Sequence, residues 1–203
     1  MVILYGSLGI GMFLLNFSTP KNFQPFILIS VITSAALIPI LLTKKKPPNF
    51  KKIEAMSLKE LYNSSPFGMV SAFFYGTIQS ALFTLLAVYA TSMNFTILEI
   101  SIVTFLLAIS GAIAQFPIGK LSDIYDRRKV IIFSSFAAAT FSILTILVSR
   151  QMYLPDGLAT SKTLFYIFFI LFSFCSLPMF SLILAHTNAV SYTHLTLPTS
   201  PKV

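Results

Sequence analysis

Residues 97–129 read ILEISIVTFLLAISGAIAQFPIGKLSDIYDRRK. From Ile97 to Ile118 the only ionisable side chain is Glu99, at the very start. The hydrocarbon core of a bilayer takes about 20 consecutive apolar residues in helical form, so this run is long enough to span one. Its apolar residues fall on all sides and do not alternate with polar ones, which argues against a barrel strand. After it come the charged residues Gly119-Lys-Leu-Ser-Asp-Ile-Tyr-Asp-Arg-Arg-Lys129, and a second apolar run begins at Val130. Two apolar helices joined by a short charged turn at the membrane face set the fold class: all-α, a polytopic transmembrane helix bundle.

The same pattern repeats outward in both directions. Six segments qualify as spans: Met1 to Phe17, Phe26 to Thr43, Phe67 to Thr91, Ile97 to Ile118, Val130 to Ser149 and Thr163 to Ala185. The first lacks a basic start and a small-residue cleavage site, so it reads as a span clipped at its beginning and not as a signal peptide. Composition agrees. The 203 residues are 56% hydrophobic and 10% charged, with a mean hydropathy of +0.84, whereas a soluble domain carries roughly 25% charge. A single cysteine, Cys175, excludes a disulfide scaffold.

The net charge of +8 would suggest nucleic acid in a soluble protein; in this one it encodes topology. Lys44, Lys45, Lys46, Lys51, Lys52 and Lys59 fall in the linker after the second span, and Lys120, Arg127, Arg128 and Lys129 in the turn after the fourth. The alternate connections hold only Lys21, Arg150 and Lys162. The excess of basic residues marks the cytoplasmic side, and all five connections alternate consistently. No nucleic-acid partner is expected; the bilayer is. Within the linker, Ser57-Leu-Lys-Glu60 is a capping-box pattern, predicting a brief interfacial helix that runs into the span near Phe67.

The turn at 119–129 is more specific than topology requires: an aspartate follows the glycine by four residues, and a basic pair follows the aspartate by four. It resembles the signature of the major facilitator superfamily, whose short cytoplasmic loops read G-x-L-x-D-R-x-G-R-R/K. Gly119, Leu121, Asp123, Arg127 and Arg128 match it. Ile124 stands where the family usually has arginine and Asp126 where it usually has glycine, a variant similar to one branch of bacterial transporters. The resemblance implies that these five residues form a conformational latch. With residues 44–66 as the family's cytoplasmic inter-half linker, it also implies that the six spans are helices five to ten of twelve. Residues 1–43 are then the last two helices of the N-terminal half and 67–188 the first four of the C-terminal half. From Ala189 the chain changes character: Val190 to Thr199 back-translates to codons resembling a transposase-type sequencing adapter read in frame, so 189–203 is expected to be non-native.

Polar residues inside spans are the remaining functional candidates. Ser71, Tyr75 and Gln79 recur every four residues and share one helical face. The resemblance places their helix on a central cavity, which makes Tyr75 and Gln79 solute-contact candidates; hydrogen bonding of Gln79 to a neighbouring helix is the alternative. Ser173 and Ser176 on the last span are further cavity candidates, with Cys175 assigned to packing. Thr104, Ala108, Gly111 and Gln115 form a small or polar stripe that reads as a packing seam, as do Gly6, Gly9 and Gly11. Pro39, Pro117 and Pro178 would bend helices or free a carbonyl, and His186 reads as an interfacial structural residue. Neither a metal-ligand spacing nor a nucleophile with a histidine partner is found, so no metal, no cofactor and no enzyme activity are expected. The resemblance implies a secondary active transporter of a small solute, working by alternating access in a bacterial cytoplasmic (inner) membrane. Its implied partners are the solute, a coupling proton and the missing helices of the same protein. The reading set against it is a non-transporting membrane scaffold or channel subunit.

Overall fold

A computed structural model describes residues 2–14, 23–42, 57–152 and 158–196. Among these residues all regular structure is helical: α1 (Val2–Leu14), α2 (Gln24–Leu41), α3 (Leu58–Ser64), α4 (Pro66–Ser92), α5 (Ile97–Ile124), α6 (Arg127–Gln151), α7 (Leu158–Ser176) and α8 (Met179–Thr196). The all-α bundle expected from the apolar runs is therefore present. Four stretches are long and apolar enough to cross a membrane: α4, α5, α6, and Ser161–Val190, which joins α7 to α8. The first two expected spans are shorter apolar helices, Val2–Leu14 and Gln24–Pro39. Residues 43–56, which hold most of the linker lysines, and the tail beyond 196 lie outside the described residues.

The bundle's surface is apolar. Phe73, Phe116, Phe133 and Phe136 are each at least 70% exposed on α4, α5 and α6, a pattern that would aggregate in water and that lipid satisfies. Backbone groups at that depth must be paired within the segment, which continuous helix provides.

Local sequence explains the helix ends. Ser57 caps α3 as its pattern predicts: its hydroxyl accepts from the Glu60 N–H at 3.2 Å, and the Glu60 carboxylate accepts from the Ser57 N–H at 2.8 Å. Pro66 then sits in the first turn of α4, where its missing N–H costs nothing. The α4–α5 turn uses Asn94 at φ 57°; the Phe95 N–H reaches the Ala90 carbonyl and the Asn94 N–H that of Thr91, closing a Schellman motif. Thr96 and Glu99 form a second capping box at the start of α5.

Long-range packing runs along α6 against α7, α1 against α5, α5 against α7 and α4 against α8. The stripe on α5 is the packing seam its residue sizes suggest. A Cβ on Gly9 of α1 would come 3.2 Å from the Ala108 Cβ, so these helices approach almost backbone to backbone. Gly6 and Gly11, grouped with Gly9 by spacing, face open space instead. Gly111 receives Leu177, whose side chain fills the place a Cβ would take.

Leu177 marks the main irregularity. The last expected span is not one straight helix: it stops at Ser176 and restarts at Met179, with Leu177 and Pro178 between. Proline has no N–H to donate and its ring crowds the preceding turn, and the break coincides with Pro178, whereas Pro39 and Pro117 lie inside unbroken helices, α2 and α5. Two apolar clusters meet near it. One holds Leu86, Phe95, Leu107, Phe165 and Leu177; the other holds Tyr75, Ala114, Val130, Leu182 and Ile183.

Candidate functional site

The helix break places a backbone carbonyl in the bundle interior, and two distant tyrosines take it. The hydroxyl of Tyr5, on α1, donates to the Leu177 carbonyl at 3.3 Å, and that of Tyr75, on α4, donates to the same oxygen at 3.2 Å. A carbonyl has two lone pairs, so both bonds can form at once. Tyr5, Tyr75 and Leu177 are all buried. Two phenols, one on α1 and one on α4, thus hold the Leu177 carbonyl at the break.

Beside this junction lies a cavity of about 220 Å³ between α1, α4 and α8. Leu4, Leu8, Phe83 and Phe180 line it together with Tyr5, Tyr75 and Gln79. The Tyr75 ring stacks on Phe180, centroids 5.8 Å apart and planes at 25°. Gln79, one turn along α4 from Tyr75, is 8% exposed, and its side-chain carbonyl has no hydrogen-bond partner among the described residues. A buried acceptor left unpaired is costly, and this one belongs to a residue lining the cavity. The four-residue spacing of Tyr75 and Gln79 does set both side chains on the same space.

The serine candidates sit elsewhere. Ser173 is fully buried and its hydroxyl donates back to the Phe169 carbonyl of its own helix at 2.8 Å; Ser176 is buried near the break. Neither lines the cavity beside Tyr75. Gln115, read as part of the packing stripe, accepts from the Ser181 hydroxyl at 2.8 Å and so ties α5 to α8.

The charged turn is tighter than its sequence suggests. α5 continues through Gly119 to Ile124, so Gly119 is a helical residue with open space around it and not a turn glycine. The reversal is made by Tyr125 and Asp126 alone. Asp126, the departure from the expected glycine, caps α6: its carboxylate accepts from the Arg128 N–H at 2.9 Å. Leu121 and Asp123 are exposed on the last turns of α5, and Asp123 has no hydrogen bond or ion pair among the described residues. Arg127 donates to the Ala185 carbonyl at 3.1 Å. Arg128 reaches His186 Nε2 at 3.4 Å and lies over the Phe67 ring, 5.9 Å from its centroid. Phe67 meets His186 edge to face at 5.5 Å. These contacts draw the starts of α4 and α6 against the middle of α8 at the basic face, and a Cβ on Gly68 would collide with Thr187 there. His186 is buried among these contacts.

At the opposite face, Lys162 pairs with Glu99 at 2.8 Å and lies over Phe95, 5.4 Å from the ring centroid. Sequence reasoning did not single out this pair. Both residues were visible as the few charges on the sparsely charged side, but their 63-residue separation gave no sign that they meet.

Comparison with known proteins follows the same lines. A family model described as Major Facilitator Superfamily matches residues 2–195. An uncharacterized MFS-type transporter of Bacillus subtilis (strain 168), YfkF, is 31% identical over 114 residues, covering 53% of this chain and 29% of the relative. The match therefore spans less than a third of the relative's length. No solved structure matches the chain.

Proposed function

The chain belongs to the Major Facilitator Superfamily and is an integral membrane protein of transporter type; from that premise we propose that it is part of a secondary active transporter that moves a small solute by alternating access, with no enzymatic step. The observation that carries the reading is the unpaired Gln79 carbonyl in the cavity between α1 and α4. On the proposed division, α1 belongs to the N-terminal half and α4 opens the C-terminal half, so the cavity lies between halves, where rocking exposes a site to either side in turn. Tyr75 and Gln79 are the proposed solute contacts. Ser173, already bonded to its own backbone, contributes packing. The proposed setting is a bacterial cytoplasmic membrane, with the remaining helices of the same protein completing the pathway and a proton as the coupling ion.

The proposed latch is Asp123 together with Gly119, Leu121, Arg127 and Arg128. What supports it is the division of labour among the charges. Arg127 and Arg128 are engaged within the bundle, whereas Asp123 is exposed and unpaired among the described residues. It is therefore free to meet a partner that arrives in one state of the cycle. Asp123→Asn keeps the shape and removes the charge, and no contact in the bundle is lost. In proteoliposomes carrying the protein expressed from its intact gene, the variant should insert and unfold like the parent while gradient-driven uptake falls about tenfold or more, as for a charge pair worth over about 1.4 kcal/mol. Uptake at the parent rate would refute the latch. A scaffold or channel subunit would instead show no uptake, or uptake that ignores an imposed pH gradient.

A further inference from the structure

We infer that the cavity beside Gln79 takes an uncharged aromatic solute of one or two fused rings that carries a single hydrogen-bond donor. This deepens the transport reading and rests on it. Size comes first. An apolar cavity of about 150 Å³ holds benzene; the space here is about 220 Å³, which accommodates a second fused ring. The walls come next. Leu4, Leu8 and Phe83 are apolar, and the stacked pair Tyr75 and Phe180 offers ring faces against which a flat solute packs in an offset or edge arrangement.

The walls bear on charge. Among the described residues no Asp, Glu, Lys, Arg or His lines this cavity, so these walls leave an ion uncompensated. The two phenols that could have served a polar solute already donate to the Leu177 carbonyl. What remains is the Gln79 side-chain carbonyl, buried, an acceptor and unpaired. A solute N–H or O–H would satisfy it; a solute lacking a donor would leave it unsatisfied, the more expensive outcome.

Indole has two fused rings, no charge and one N–H; 1-methylindole has the same rings and no donor. The chain contains no tryptophan, so it adds no background of its own to indole fluorescence excited beyond the tyrosine band. The test titrates each probe into the 203-residue chain in phosphatidylcholine nanodiscs and subtracts empty nanodiscs, to remove partition into lipid. Saturable binding of indole with a blue-shifted emission, about tenfold tighter than 1-methylindole, is expected. Gln79→Leu should bring the two probes to equal affinity, by weakening indole and not by strengthening its analogue. Equal binding of both probes to the parent chain would overturn the donor requirement while leaving an apolar solute site in place. Discrimination that survives Gln79→Leu would overturn the assignment to Gln79. No saturable binding of either probe would overturn the solute site itself. Tryptamine, the same ring system with an added cation, should bind at least tenfold more weakly than indole; tighter binding would refute the uncharged class.

Discussion

Gly111 is where helix packing is least forgiving. A Cβ built there would fall on Leu177 Cδ1, 2.7 Å from Leu177 Cβ and 3.0 Å from its Cγ. Leu177 cannot retreat freely, because it is fully buried and its carbonyl is held by Tyr5 and Tyr75. Gly111→Ala therefore costs about 1–3 kcal/mol for the overpacked methyl, and up to about 1 kcal/mol for each tyrosine bond if Leu177 yields. Against this stands a gain of about 1 kcal/mol from replacing a mid-helix glycine. Gly76→Ala is the natural reference, since Gly76 also lies mid-helix but has nothing within 4 Å of its would-be Cβ. The propensity gain cancels between the two, so Gly111→Ala should be the less stable by about 1–5 kcal/mol. Equilibrium unfolding by sodium dodecyl sulfate in mixed micelles, followed by far-ultraviolet circular dichroism, reads this difference. Adding Leu177→Ala should recover at least about 0.5 kcal/mol of coupling, because two of the three close contacts disappear. If Gly111→Ala and Gly76→Ala unfold together within about 0.5 kcal/mol, the close approach of α5 to the break is not what the bundle rests on.

Two further outcomes follow from the helix ends. Asn94 at φ 57° should accept glycine without loss, whereas Asn94→Val should cost at least about 1–2 kcal/mol in the same unfolding assay, since a β-branched residue is strained in the left-handed region; equal stability of the two variants would contradict the Schellman geometry. The Ser57 backbone N–H, followed by the Ser57 hydroxyl, holds the Glu60 carboxyl below its ordinary 4.5. A depressed carboxylate contributes stability above its unfolded pKa and loses it as pH falls through the folded one. Amide protection factors in α3 should therefore be flat from neutral pH down to about 5 and drop below about 4.5, and Glu60→Gln should flatten the profile. An unchanged profile in that variant would remove the charge from the cap.

What the sequence reveals here is what can be decided within a turn or two of helix. The apolar runs, the Ser57–Glu60 cap and the small-residue stripe on α5 all depend on neighbours three or four residues away, and all are present in the structure. Pro39, Pro117 and Pro178 look alike in sequence, since none can donate an N–H, yet among the described residues only the last coincides with a break. Who takes the carbonyl beside it was not legible, since Tyr5 lies 172 residues from Leu177. The turn at 119–129 shows the opposite failure. The expected turn begins at Gly119, yet nothing forces a reversal where the helix can simply continue over open space. The reversal waits for Asp126, whose carboxylate can cap the next helix. An aspartate directly before Arg-Arg-Lys and an apolar run carried that signal, and it looked like a mere departure from the family pattern.

The same distinction between local and distant partners assigns the work at the cavity. Tyr75 and Gln79 share a face by spacing, and on spacing alone they are equivalent polar candidates. The break at Leu177 separates them. Because the Tyr75 hydroxyl is committed to that carbonyl, the group that can meet a solute there is the ring, already stacked on Phe180. Gln79 has no such commitment at its carbonyl, and it holds the polar end of the contact. The helix break and the candidate solute site meet at one hydroxyl: Tyr75→Phe should leave the cavity's apolar shape intact, remove one bond worth about 1 kcal/mol from the break, and weaken the hold of α4 on it while Tyr5 keeps that of α1, a loss the same unfolding assay reads.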